Sequence, residues 1–135
     1  MKITDSPELF YLILTTALTG IIWIPYILNR IVEMGLWSAL KNPQPDDHPE
    51  AQWAFRAMNA HRNAIENLMI FAPLAVAVHV LDLSTQTTAF ASMLFFVSRL
   101  IHLVVYTLGI PLVRTLSFAV GFLCQTALFV QLISG

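Results

Sequence analysis

The stretch Arg56-Ala-Met-Asn59-Ala-His-Arg62-Asn63-Ala-Ile-Glu66, which leads into a mostly apolar run from Leu68 to Leu81, decides the fold. At ~100° per helical residue, Arg56, Asn59, Asn63 and Glu66 fall within roughly an 80° arc, with Arg62 beside it. The apolar run has the composition of a membrane span, so the polar stripe reads as one end of a long transmembrane helix. An arginine and a glutamate at membrane depth are costly unless they pair or bind something. The stripe is therefore the first candidate for a binding site.

The whole chain fits that setting. Of its 135 residues 57% are hydrophobic and 11% are charged, and the mean hydropathy is +0.71. A soluble domain would carry about 25% charged residues. The net charge of -1 leaves no basic surface for nucleic acid. The single cysteine, Cys124, lies in an apolar run and reads as a small buried hydrophobe; it permits neither an intrachain disulfide nor a zinc cluster. Met1 to Pro7 lacks the pattern of a cleavable leader, so the first span is expected to stay in the mature protein.

Working outward, four spans are expected, at about 8–28, 51–81, 86–108 and 111–133, within a single domain over residues 1–135. The fold class is an all-α integral membrane protein, a four-transmembrane-helix bundle. Pro25 is placed to kink the first span. The segment of about 30–50 carries Pro43, Pro45 and Pro49 among acids and reads as a long loop. Gly109-Ile-Pro111 separates the last two spans, with Pro111 suited to a first helical turn. Four spans put both termini on one side. Arg30, Lys41, Arg56, Arg62 and Arg114 collect on the other side, against Lys2 alone, so the long loop and the stripe are expected to face the cytoplasm. Trp23, Trp37 and Trp53 sit near span ends, where aromatic belts occur.

Chemistry-bearing residues occur on three helices. On the second span, Glu66 can accept from a ligand ammonium, and Arg62 can grip a carboxylate. The competing reading is structural: Arg56 pairing with Glu66 to hold the bundle. On the third span Arg99, His102 and Tyr106 share about 60° of one face. Here too a structural alternative stands, with Arg99 neutralising Glu66. Arg114 lies in the first turn of the fourth span, where the helix dipole already supplies positive charge, so an anion is expected beside it; the structural alternative is an interfacial, snorkelling arginine that serves the positive-inside bias. Arg30 either joins this electropositive mouth or anchors its span at the headgroups. His61 points away from the stripe, towards another element or the interfacial region, and His79 reads as a packed, hydrogen-bonded residue. No two histidines stand at ligand spacing, so no metal site is expected.

These residues carry a family resemblance. Asn59-Ala-His-Arg-Asn63-Ala-Ile-Glu66-Asn67, Arg99-Leu-Ile-His102-Leu-Val-Val-Tyr106 and Arg114-Thr-Leu-Ser-Phe-Ala-Val-Gly121 resemble three segments of the MAPEG family, the membrane-associated proteins in eicosanoid and glutathione metabolism. They occur in the family's order on a four-span chain. The resemblance covers nearly the whole chain and is nearest to microsomal glutathione transferase-like members. The short turn at Asp82 and the tight Gly109-Ile-Pro111 turn fit a compact, bacterial type.

The resemblance implies a homotrimer that binds glutathione as cosubstrate between subunits, at the cytoplasmic side of an inner membrane in a bacterium or of the endoplasmic reticulum in a eukaryote. It implies that Arg30, Arg62, Asn63, Glu66, His102 and Tyr106 hold glutathione and that Arg114 is the catalytic residue stabilising its thiolate. Arg56, Asn59 and Arg99 would then be structural polar residues. The partners it implies are glutathione, membrane lipids and a hydrophobic small molecule or lipid as second substrate. Asn59 departs from an arginine common at that position, and Asn67 follows the transferases where leukotriene C synthase has tyrosine. The expected activity is thus a glutathione-dependent transferase or peroxidase acting on hydrophobic electrophiles. The alternatives are a non-catalytic lipid-binding or scaffold protein of the same family and, more remotely, a small transporter subunit, against which the lack of repeats or broken helix pairs argues.

Overall fold

The computed structural model describes residues 2–135. After a 3-10 turn at Ile3–Asp5, six helices follow: α1 Pro7–Ile21, α2 Trp23–Met34, α3 Leu36–Leu40, α4 Gln52–Val80, α5 Gln86–Leu108 and α6 Pro111–Ser134. With α1 and α2 taken as one segment, Pro7–Met34, four helices are long and apolar enough to cross a membrane. The protein is a multi-pass integral membrane helical bundle.

Local chemistry sets the element ends. Ser6 caps α1, its Oγ accepting from the Leu9 amide, and Pro7 occupies the first turn. Pro25 has no N–H to offer the carbonyl of Ile21, and the helix is interrupted at Ile22 although the backbone there stays helical. The helix then runs on to Met34, beyond the expected end near residue 28. The segment of about 30–50, expected to be wholly a loop, therefore begins as helix and also contains α3, which exposes Leu36, Trp37 and Leu40. An exposed apolar turn of this kind suits the membrane interface. Gly109 closes α5 with φ of 78°, a left-handed conformation that glycine adopts without strain.

The core joins α4, α5 and α6. Phe71 and Phe95 stack with ring centres 4.0 Å apart, packed with Ala75, Val78, Cys124 and Leu128. The first half of α4 buries Ala54, Ala57, Ala60 and Ala64, a stripe of small residues that lets neighbouring helices approach closely. That inward stripe fixes which way the polar residues of α4 turn.

The two ends of the bundle differ. At the end holding the termini, Glu8 is fully buried and accepts hydrogen bonds from Thr88 Oγ1 at 2.6 Å, Ser84 Oγ at 2.9 Å and Ser6 Oγ at 3.4 Å. It joins the start of α1 to the start of α5. At the other end lie the 35–51 segment and the Gly109–Ile110 turn.

Candidate functional site

The polar stripe of α4 is divided by the packing. Arg56 reaches across to α5, where its Nε donates to the carbonyl of Thr107 at 2.9 Å. This carbonyl lies in the last turn of α5, where acceptors lack helical partners and the dipole favours a cation. Asn59 turns back on its own helix, its Nδ2 donating to Phe55 O at 3.1 Å. Arg62 and Glu66 are exposed and make no side-chain hydrogen bond among the described residues. Neither structural pairing weighed for Glu66 is formed: Arg56 binds Thr107, and Arg99 binds Asn63. The reason is rotational, because Asn63 and buried Asn67 lie towards α5 and α6 while Glu66 faces away from the bundle.

Asn63 is the hinge between the helices. Its Oδ1 accepts from Arg99 Nη2 at 2.6 Å and from Asn67 Nδ2 at 3.3 Å. Arg99 is only 3% exposed, yet no carboxylate meets it, and its Nε and Nη1 have no hydrogen-bond partner among the described residues. Its Nη2 also lies 3.2 Å from Nδ1 of buried His102. The His102 ring packs edge-on against Tyr106, with centres 5.5 Å apart. The Arg114 guanidinium lies over the Tyr106 ring at 4.9 Å. Asn63, Arg99, His102, Tyr106 and Arg114 thus form one contiguous cluster drawn from three helices.

Two residues in contact with this cluster were not expected. Asn67 donates through Nδ2 to the Asn63 carbonyl at 2.9 Å, and Gln125 of α6 donates to Asn67 O at 3.1 Å and to its Oδ1 at 3.4 Å. A glutamine in the middle of a largely apolar span was the available signal, since an intramembrane polar group needs a partner.

Arg30 stands apart from the cluster. Its Nη2 lies 3.4 Å from Asp47 Oδ2, and this is the one salt bridge among the described residues. The Gln44 amide, followed by Arg30, holds the Asp47 carboxyl below its usual range. Nearby, Glu33 accepts from the amides of Glu50 and Ala51 and so ties the end of α2 to the segment just before α4. Arg114, beside which an anion was expected, has no ion pair among the described residues and rests on the aromatic face instead. His61 does meet another element, its Nδ1 being 2.7 Å from the Tyr26 hydroxyl. His79 is half-buried without a side-chain hydrogen bond among the described residues, in contrast to the expected bonded one. No group of three or more histidine, cysteine, aspartate or glutamate residues among the described residues could hold a metal ion.

Chemically, the cluster offers two guanidiniums, an imidazole, a phenol and a carboxamide. Such a set suits an anionic ligand rich in acceptors. The carboxylate of Glu66, one turn from Asn63, would suit an ammonium. No curated protein and no solved structure matches the chain. The model of the MAPEG family, however, matches residues 9–134, a span that reaches into all four membrane helices and includes every residue of the cluster, and the chain belongs to that family.

Proposed function

We propose that the protein is a glutathione-dependent membrane transferase or peroxidase that acts on hydrophobic electrophiles. Family membership supports a membrane role in glutathione or eicosanoid metabolism. The observation that carries the finer reading is the contact of Arg114 with Tyr106, whose ring packs on His102 beside Arg99 and Asn63. In this reading Arg62, Asn63, Glu66, His102 and Tyr106 hold the peptide, with Arg30 reaching it from the loop side. The exposed charges of Arg62 and Glu66 on a membrane-length helix call for a partner. A homotrimer with glutathione between subunits, at the cytoplasmic side, supplies one.

Arg114 would act on the sulfur. A free thiol has a pKa of ~8.5, and lowering it to ~6.5 requires ~2.7 kcal/mol of preferential thiolate stabilisation. A guanidinium in the first turn of a helix, in a site shielded from water, can provide this. The thiolate then attacks an electrophilic carbon and displaces its leaving group. With a peroxide it attacks the terminal oxygen, the O–O bond breaks and an alcohol leaves, and a second glutathione converts the resulting sulfenic acid to the disulfide and water.

The test is the ultraviolet thiolate absorbance on titrating glutathione into purified protein at neutral pH. A rise in the wild type that is lost in Arg114→Ala is the expected result. Binding without any rise would remove Arg114 from the chemistry.

One observation favours the second reading, a non-catalytic lipid-binding member. An apolar groove of about 270 Å³, lined by Ile22, Pro25, Trp53, Ala57, Leu103 and Thr107, opens beside the helix interruption. It can take an acyl chain, and an absence of glutathione binding would shift the assignment to it.

A further inference from the structure

We propose that Arg99 is a positioning residue that sets the hydrogen-bonding polarity of the site, fixing both His102 and Asn63 as donors towards a ligand. The proposal rests on the glutathione reading only for the identity of that ligand.

The argument starts from the guanidinium, which can donate and cannot accept. The two hydrogens of Arg99 Nη2 have two acceptors, Asn63 Oδ1 at 2.6 Å and His102 Nδ1 at 3.2 Å. A nitrogen that accepts from arginine carries no proton. The His102 ring is therefore neutral and holds its proton on Nε2. Asn63 is fixed in the same way. Its Oδ1 receives donors from both Arg99 and Asn67, and an amide flip would set its NH2 against both of them.

Asn67 in turn takes its direction from Gln125, whose Nε2 donates to Asn67 O and Oδ1. Donation thus runs one way, from Gln125 to Asn67 to Asn63, and from Arg99 to both Asn63 and His102. The Asn63 NH2 and the His102 Nε2–H remain without an acceptor among the hydrogen bonds of the described residues. Both are donors, so the part of the ligand that meets them is a carboxylate or a peptide carbonyl. An ammonium is turned away, towards Glu66. This also gives a reason for a buried guanidinium that no carboxylate among the described residues neutralises, an arrangement that packing alone would not favour.

The experiment is 15N NMR of histidine-labelled protein in detergent at neutral pH, without glutathione, with His102 assigned by its loss in His102→Gln. His102 is expected with an unprotonated Nδ1 and a protonated Nε2. Arg99→Gln should give a mixture of tautomers, and Arg99→Lys, which still donates, should restore the single form. With glutathione added, Kd should rise about tenfold in Arg99→Gln and less in Arg99→Lys. An Nδ1–H tautomer in the wild type overturns the proposal even where a variant does not fold. So does an Arg99→Gln protein with an unchanged tautomer or an unchanged Kd. If the wild type does not bind glutathione, the glutathione reading fails, while the tautomer result still decides the positioning role.

Discussion

The guanidinium of Arg114 lies 4.9 Å from the centre of the Tyr106 ring, so the first turn of α6 is joined to the last two turns of α5 through a cation and an aromatic face. The intervening connection is short, with Gly109 and Ile110 between the two helices. The Gly109 turn therefore sets where Arg114 stands. A cation over a π face is held by its quadrupole without being neutralised, so its charge remains available to a bound anion.

If this charge stabilises a thiolate, Arg114→Ala should raise the pH at which bound glutathione ionises towards that of a free thiol. At neutral pH conjugation should slow by on the order of tenfold or more. Arg114→Lys keeps the charge but loses the planar stacking, and should fall between the two. The pH profile of kcat/KM is the measurement, and an alanine variant with the wild-type profile would rule the role out.

Glu66 is expected to act on binding. Exposed and without an ion pair among the described residues, it is poised for a ligand ammonium in place of a protein partner. Glu66→Gln should raise KM for glutathione with little change in kcat, the pattern of an interaction made equally in ground and transition states. A fall in kcat alone would assign Glu66 to the chemical step.

Much of this was legible in the sequence, for reasons particular residues make plain. Span length and hydropathy are properties of contiguous residues, so the four-helix membrane fold could be read directly. Helical period placed Arg99, His102 and Tyr106 on one face but could not say what that face meets. Arg99 was weighed as a partner for Glu66 and instead binds Asn63, one turn away, because the buried alanine stripe of α4 sets the rotation. The links between Gln125 and Asn67 and between Glu8 and Thr88 join residues 58 and 80 positions apart, beyond the reach of any local period.

The Asp47 contact should show in the pH dependence of the loop. The Gln44 amide and then Arg30 hold its carboxyl below the ordinary value, so the ionised form is favoured when folded. Its stabilising contribution is present above about pH 4 and is lost as pH falls through the lowered value. The protection of the Gln44 amide, taken relative to its intrinsic exchange rate at each pH, should fall on acidification in the wild type. In Asp47→Ala that protection should be low at every pH, with the thermal midpoint of the bundle unchanged. Matching exchange profiles in the two proteins would mean that the carboxylate does not order this segment.

Glu8 should matter for stability and leave glutathione affinity unchanged, because it lies at the end of the bundle away from the Arg114 turn. Glu8→Ala removes the acceptor for the Thr88 and Ser84 hydroxyls and should cost roughly 1–3 kcal/mol, the range for leaving a buried donor without its partner. Thermal denaturation in detergent and a glutathione titration of the same variant separate the two effects. A loss of affinity without loss of stability would instead mean that the two ends of the bundle are coupled.

Gly109→Ala gives the most local test of how the site is positioned. At φ 78° an alanine is strained by roughly 1–2 kcal/mol, and its Cβ would lie 3.2 Å from the Arg56 guanidinium carbon. Arg56 would have to give way, which weakens its bond to the Thr107 carbonyl and loosens the turn that sets Arg114 over Tyr106. The thermal midpoint should fall and the thiolate signal should weaken together. Gly20→Ala is the control: nothing lies within 4 Å of its Cβ and the residue sits inside α1, so it should be neutral or stabilise by up to ~1 kcal/mol. A Gly109→Ala protein that loses stability but keeps a full thiolate signal would show that Arg114 is placed by α6 alone and not through the turn.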